Sequence, residues 1–214
     1  MYIIPRLTPE TLPDAATAAA WRADGVTLVH LLLDPAALDG ADGCLDLLRQ
    51  AGFAVQLELA SPDRAEEAAE RLGGRIERLF VPFDIFAKPR RLLALLAQFG
   101  SLIGMHIAAE EGAVPLPLPI EPNAMPPVDA VKTMETAGVM SILYSDPAAE
   151  LLPLDQLADV AMQSDVNLFA QGRLETLDDL FTLQQMKLMG WLCPPARVAE
   201  AAAALRAGKE RGQA

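Results

Sequence analysis

Three side chains in this sequence are suited to moving protons, His106, Asp146 and Glu58, and each falls at or near the end of a strand-like run. An imidazole at such a position can give or take a proton near neutral pH, with a carboxylate as its partner or as a second base. Asp146 and Asp34 follow apolar runs directly, where aspartate serves either in chemistry or as a helix cap. Glu58 stands out because Leu57 and Leu59 flank it. Facing inward among apolar neighbours, its carboxyl has a raised pKa unless it is paired, and Arg6 and Arg173 are the candidate partners. The plainer reading of the same residues is a structural ion pair closing a disused pocket. His30 sits among leucines and reads as structural. Lys88, Arg90 and Arg91 oppose the dipole of the helix they begin and also read as a solvated face. No metal ligand set and no cofactor motif is found, and Cys44 and Cys193 lack metal or disulfide spacing, so both read as buried thiols.

These residues depend on a repeating pattern. Val166 to Ala170 is an apolar run too short for a helix, closed by the turn signal Gln171-Gly172. Thr176 is placed to cap a following helix from Leu177 to Met189, which Gly190 stops before another short run, Trp191 to Cys193. The same alternation runs through the chain. Strands are predicted at Tyr2 to Leu7, Val26 to Leu33, Phe53 to Leu59, Arg75 to Phe83, Leu102 to Ala108 and Val139 to Tyr144. Helices are predicted at Ala15 to Ala23, Ala41 to Ala51, from an N-cap at Ser61 to Gly73, Lys88 to Phe99, Val128 to Ala137, Leu154 to Gln163 and Val198 to Arg206. Eight strand–helix units of roughly 25 residues predict an α/β fold, a single (β/α)8 barrel. A doubly wound sheet is the alternative, but its glycine-rich first turn is missing from Pro5-Arg6-Leu7-Thr8-Pro9.

One segment breaks the rhythm. Glu110 to Pro127 carries six prolines, which predicts an extended loop. Its apolar residues, Val114, Leu116, Leu118, Ile120 and Met125, need cover. Either the strip folds back over its own barrel mouth, or residues 114–127 meet a protein partner or a second copy of the chain. Met125, Met134, Met140, Met186 and Met189 are core filler or an adaptable contact surface.

Composition bounds the rest. The 214 residues are 52% hydrophobic and 21% charged, enough for a substantial core in one domain. A net charge of −12 argues against nucleic acid and anionic membranes as partners, and requires a local positive site for any anionic small-molecule ligand. No apolar run reaches the length of a membrane span, and Met1 leads at once into a strand, so a soluble, cytoplasmic protein is expected.

Several stretches resemble the ProFAR isomerase family of histidine biosynthesis and its cyclase relative. They are Ile4-Pro5-Arg6-Leu7-Thr8, Val29-His30-Leu31-Leu32-Leu33-Asp34, Ile103-Gly104-Met105-His106, Ser141-Ile142-Leu143-Tyr144-Ser145-Asp146, and the run from Ala170 through Gly172 to Leu180. The resemblance implies a TIM barrel of the ribulose-phosphate-binding type. It also implies an acid/base pair at the ends of the first and fifth strands. Those positions hold Thr8 and His106 here, and a threonine of the sixth strand meets Ser145. Ligand contacts are therefore expected at Arg6, Thr8, Ser145, Gln171, Gly172 and Arg173. The family's glycine-rich phosphate turns have given way to Glu58-Leu59-Ala60, Pro82-Phe83 and Pro194-Pro195, which remove bare amides.

Two functions follow from these departures. The chain is either a repurposed barrel without ProFAR isomerase activity, acting as a binding or assembly subunit, or an isomerase or lyase of another specificity using His106, Asp146 and Glu58. An open mouth favours the second reading, and a mouth filled by Phe83, Leu59 and Pro194 favours the first.

Overall fold

Short runs rich in branched and aromatic residues lie side by side as parallel strands in the computed structural model, which describes residues 1–118 and 123–211. The strands are β1 (Tyr2–Leu7), β2 (Leu28–Leu33), β3 (Ala54–Leu59), β4 (Arg78–Pro82), β5 (Ile103–Ala108), β6 (Val114–Pro115), β7 (Ala124–Met125), β8 (Ser141–Ser145), β9 (Asn167–Gln171) and β10 (Gly190–Cys193). The helices are α1 (Ala15–Ala23), α2 (Ala41–Gln50), α3 (Ala65–Leu72), α4 (Pro89–Phe99), α5 (Pro127–Thr136), α6 (Leu154–Gln163), α7 (Asp179–Gln185) and α8 (Val198–Arg211). β6 and β7 form a small antiparallel pair of their own. The other eight strands close as β1-β2-β3-β4-β5-β8-β9-β10, each followed by a helix, so the predicted (β/α)8 barrel is the fold.

Side chains alternate along each strand, and closure sends every second one to the barrel axis. Leu7, Leu31, Leu57, Leu79, Met105, Ile142 and Trp191 face outward and join the helices in one large apolar shell. Ile4, Leu28, Phe80, Leu143, Phe169 and Leu192 form a separate cluster inside the barrel, with the Phe80 and Phe169 rings edge to face at 5.7 Å. This inner plug is where two strand glycines matter. A Cβ on Gly104 would lie 2.7 Å from the Phe80 ring, and one on Gly190 would collide with Ile4. Each glycine yields its interior volume to a larger neighbour.

On the same inward parity, one step nearer the C-terminal ends of the strands, stand Arg6, His30, Glu58, His106, Ser145 and Gln171. Pairings such as Arg6↔His30, Pro82↔His106 and Ser145↔Gln171 fix that placement. At the opposite end Arg78 donates to Ser141 Oγ at 2.5 Å and to the Ser101 carbonyl at 3.0 Å. The barrel interior is therefore an apolar layer between two polar ones.

Some expectations need correction. The helix expected from Leu177 to Met189 is shorter, Asp179–Gln185, and ends where Lys187 takes φ +61°. Gly190 is the first residue of β10 rather than a helix stop. Thr176 does not cap α7 with its hydroxyl; its backbone N–H donates to the Asp179 carboxylate. Ser61 is likewise not an N-cap, since α3 starts at Ala65 behind Arg64 in the left-handed conformation. Arg91 is engaged with Glu66 and the Pro62 carbonyl, so it is a paired surface cation. Cys193 is buried, as expected, but Cys44 is only half-buried. Of the methionines, Met134 is buried, Met125 and Met186 pack on the core, and Met140 and Met189 are exposed. No helix among the described residues is long and apolar enough to cross a membrane.

The proline-rich segment is not wholly irregular. Val114 pairs with Met125, and Leu116 N–H donates to the Asn123 carbonyl at 2.7 Å. Pro115 tolerates this position because the neighbouring amide carries the bond. Val114 is buried, and Leu116 and Met125 pack against the core. Ile120 lies outside the described residues. Substituting Leu116 and Leu118 together by serine is expected to lower the melting temperature by several degrees, since each half-covered leucine contributes about 1–2 kcal/mol. Differential scanning fluorimetry beside size-exclusion chromatography checks this. An unchanged melting point with lost association would assign the strip to a partner instead.

Candidate active site

Glu58 is the centre of the polar layer. Its side chain is 3% exposed. One carboxylate oxygen lies 2.7 Å from His106 Nδ1 and the other 2.8 Å from His30 Nε2. Burial by itself would raise this carboxyl, but hydrogen bonds from His106 and His30 outweigh it and hold Glu58 well below the ordinary range. The carboxylate only accepts, so both facing ring nitrogens carry protons. His106 Nε2 then faces Ser145 Oγ at 2.8 Å. In the neutral ring that nitrogen is the acceptor and the Ser145 hydroxyl donates. Carboxylate, imidazole and hydroxyl thus stand in a row drawn from β3, β5 and β8, an order that fixes a histidine's tautomer and orientation.

Arg6 approaches the same carboxylate, with Nη2 3.5 Å from Oε2. Arg173, the other expected partner, does not; it lies 3.8 Å from Glu150 on the rim and is largely exposed. Asp146 stands at the expected strand end but spends its oxygens on backbone. Oδ2 accepts from Gly112 N–H at 3.0 Å, and Oδ1 accepts from the N–H groups of Ala148 and Ala149 at 3.2 and 3.1 Å. Asp34 does the same for Ala36. Both are loop-fixing groups. Thr8 bonds locally to Thr11. His30, read from sequence as structural, belongs to the cluster, although it is fully buried and contacts the mouth only through Glu58.

The mouth is open. One cavity of about 440 Å³ is bounded by Arg6, Glu58, His106, Phe83 and Pro115. Phe83 forms part of its wall, stacked on Phe86 at 5.3 Å, rather than a plug. A second cavity of about 510 Å³ is bounded by Arg6, Gln171, Arg173, Trp191, Pro194 and Arg197, and Gly172 also touches it. Arg6 belongs to both. Leu59 takes no part, being in the outer shell. At the Gly172 turn, Leu152 lies 2.9 Å from where a Cβ would be, and Trp191 Nε1 donates to the Gly172 carbonyl at 3.0 Å. Leu152 and Trp191 thus flank that turn, which is still half-exposed and borders the cavity.

A closed parallel barrel with ionisable side chains gathered at the C-terminal ends of its strands has the layout of a (β/α)8 ligand-binding or catalytic barrel. No family model matches the chain. It is 26% identical over 182 residues to 1-(5-phosphoribosyl)-5-((5-phosphoribosylamino)methylideneamino)imidazole-4-carboxamide isomerase, the ProFAR isomerase, of Listeria monocytogenes, covering 82% of this chain and 76% of that one. The enzyme of the same name from Roseiflexus castenholzii is 28% identical over 182 residues, covering 82% and 77%. That from Cyanothece is 25% identical over 184 residues, covering 81% and 70%. The chain is therefore similar to ProFAR isomerases over most of its length, at an identity that leaves room for diverged chemistry.

Proposed function

We propose that this barrel does not isomerise ProFAR, and that it binds a small polar molecule in its open mouth with His106 as the proton-transfer group. The row Glu58–His106–Ser145 beside an accessible cavity carries this reading. A scaffold with a disused mouth has no need of a buried carboxylate that orders two imidazoles, because an apolar core of similar volume is as stable or more so. Glu58 positions His106 and fixes its tautomer, and Arg6 supplies positive charge at the meeting point of the two cavities. Against the isomerase function stand Thr8, which cannot serve as a base at neutral pH, and Pro194 and Pro195, which offer no N–H. The alternative, a binding or assembly subunit without chemistry, would leave His106 with no catalytic consequence.

The test is proton exchange. The protein is incubated in D2O with a panel of aldoses, ketoses, 2-keto acids and 2-hydroxy acids, and loss of carbon-bound hydrogen is followed by proton NMR. At least one class should exchange, with the rate falling about 10²-fold or more in His106→Gln. No exchange with any class, or equal exchange in the variant, would sink the proton-transfer role.

A further inference from the structure

The cavity between β1, β9 and β10 contains two polar atoms that the fold itself does not explain. Arg6 Nε and Gln171 Oε1 are buried side-chain atoms with no hydrogen-bond partner among the described residues. They are opposite in kind, a donor and an acceptor. Their strands flank β10, so their backbones are two inter-strand steps apart, roughly 10 Å. Both side chains line the same cavity of about 510 Å³.

Arg6 meets Glu58 only through Nη2 and at long range, which leaves Nε without a partner. The oxygens of that carboxylate are taken at 2.7 and 2.8 Å by His106 and His30, while Arg6 Nη2 stands off at 3.5 Å. The other arginines of this cavity do have carboxylates, Glu150 for Arg173 and Glu200 for Arg197. The guanidinium of Arg6 therefore keeps an edge suited to the two oxygens of a planar carboxylate. A phosphate is less well served: Pro194 and Pro195 have no amide hydrogen, and Arg173 and Arg197 already face Glu150 and Glu200. Gln171 Oε1 calls for a donor on the same molecule. The remaining wall, Trp191, Leu174 and Pro194, is apolar and favours a compact carbon skeleton.

We infer that this cavity binds a small carboxylate bearing a neighbouring hydrogen-bond donor, a hydroxy acid or an amino acid, with Arg6 holding the carboxylate and Gln171 accepting from the hydroxyl or ammonium. The inference rests on the proposed ligand-binding mouth and names its substrate class. Because Arg6 also borders the cavity that contains His106, a molecule held there lies beside the proton-transfer group.

Calorimetric titration tests it with lactate, alanine, propionate, inorganic phosphate and ribose 5-phosphate as probes. Lactate or alanine should bind at least about tenfold more tightly than propionate, since propionate leaves Gln171 Oε1 unpaired. Lactate and alanine separate the hydroxyl from the ammonium as the donor. In Gln171→Leu that preference should fall to about unity, and Arg6→Met should lose carboxylate binding. Should Arg6→Met not fold, the preference ratio in Gln171→Leu still decides. Equal affinity for propionate, tighter binding of either phosphate probe, or no heat with any carboxylate overturns the inference. The ring signals of His106, followed by NMR in the same titrations, separate the two claims. If they move with ribose 5-phosphate alone, the mouth binds ligand and the assigned class is wrong. If they move with no probe, both readings fail.

Discussion

Replacing Glu58 by leucine is expected to destabilise the barrel by about 3–5 kcal/mol, the usual cost of removing one member of a buried charged cluster. In a chain of this length that is a fall of roughly 10 °C in melting temperature. The loss is not one of packing, since leucine nearly fills the glutamate's volume. It comes from two imidazole N–H groups and the Arg6 guanidinium left without the carboxylate they face. Replacing His30 by leucine as well should recover part of the loss, because removing both partners costs less than orphaning one.

The same carboxylate gives the protein a defined acid limit. Its folded pKa is depressed, so below the unfolded value of about 4.3 the unfolded chain binds more protons than the folded one. The stabilisation is complete above that value and is lost as pH falls through the lower folded value. Urea midpoints measured across the acid range should fall steeply for the parent protein and less steeply for Glu58→Leu. Parallel curves for the two proteins would mean that Glu58 is not the group responsible.

The second large effect concerns ProFAR. Purified protein, assayed beside the Listeria relative, is expected to turn ProFAR over at least about 10⁴-fold less efficiently, and not to restore growth to a strain lacking the isomerase. Loss of one positioned acid or base typically removes about 10²- to 10⁴-fold in rate, and lost phosphate contacts reduce the binding energy that drives the step. Thr8→Asp alone should not repair this, because Pro82-Phe83 after β4 and the prolines after β10 remain. Complementation by the parent chain would overturn the proposed function at once.

The barrel was legible because its signals are local and redundant. Strand ends are marked by glycine or proline, and α1 and α6 fall where their apolar spacing and flanking residues place them. Where one strong residue carried a prediction, it misled. Gly190 reads as a helix terminator, but it is a strand residue kept small by Ile4. The candidate site was half visible. Glu58 and His106 announced themselves as isolated polar residues in apolar runs, and Arg6 was named as a partner. His30 read as structural, with no place in the cluster, because β2 is apolar on both faces, so its alternation conceals which residues point to the axis. The signal was parity in pairing. His30 lies beside Gln56, and Leu32 beside Glu58, but that register is a property of the closed barrel and not of one strand. Asp146 stayed ambiguous for the opposite reason. Aspartate after a strand suits chemistry and capping equally, and only Gly112, brought from 34 residues away, shows which role its oxygens serve.

The layering of the barrel interior also bears on how such a chain can change. The Phe80–Phe169 plug and the outer shell carry most of the apolar burial, while the groups able to meet a ligand stand one residue pair above it. On the proposed reading, exchanges at Arg6 or Gln171 would therefore alter what the mouth recognises without reopening the plug. Glu58 is the exception, since it serves both the mouth and the cohesion of the layer. Natural variation in descendants of this barrel should accordingly be free around the rim, closed at Gly104 and Gly190, and correlated at positions 30, 58 and 106, which can be remodelled only together.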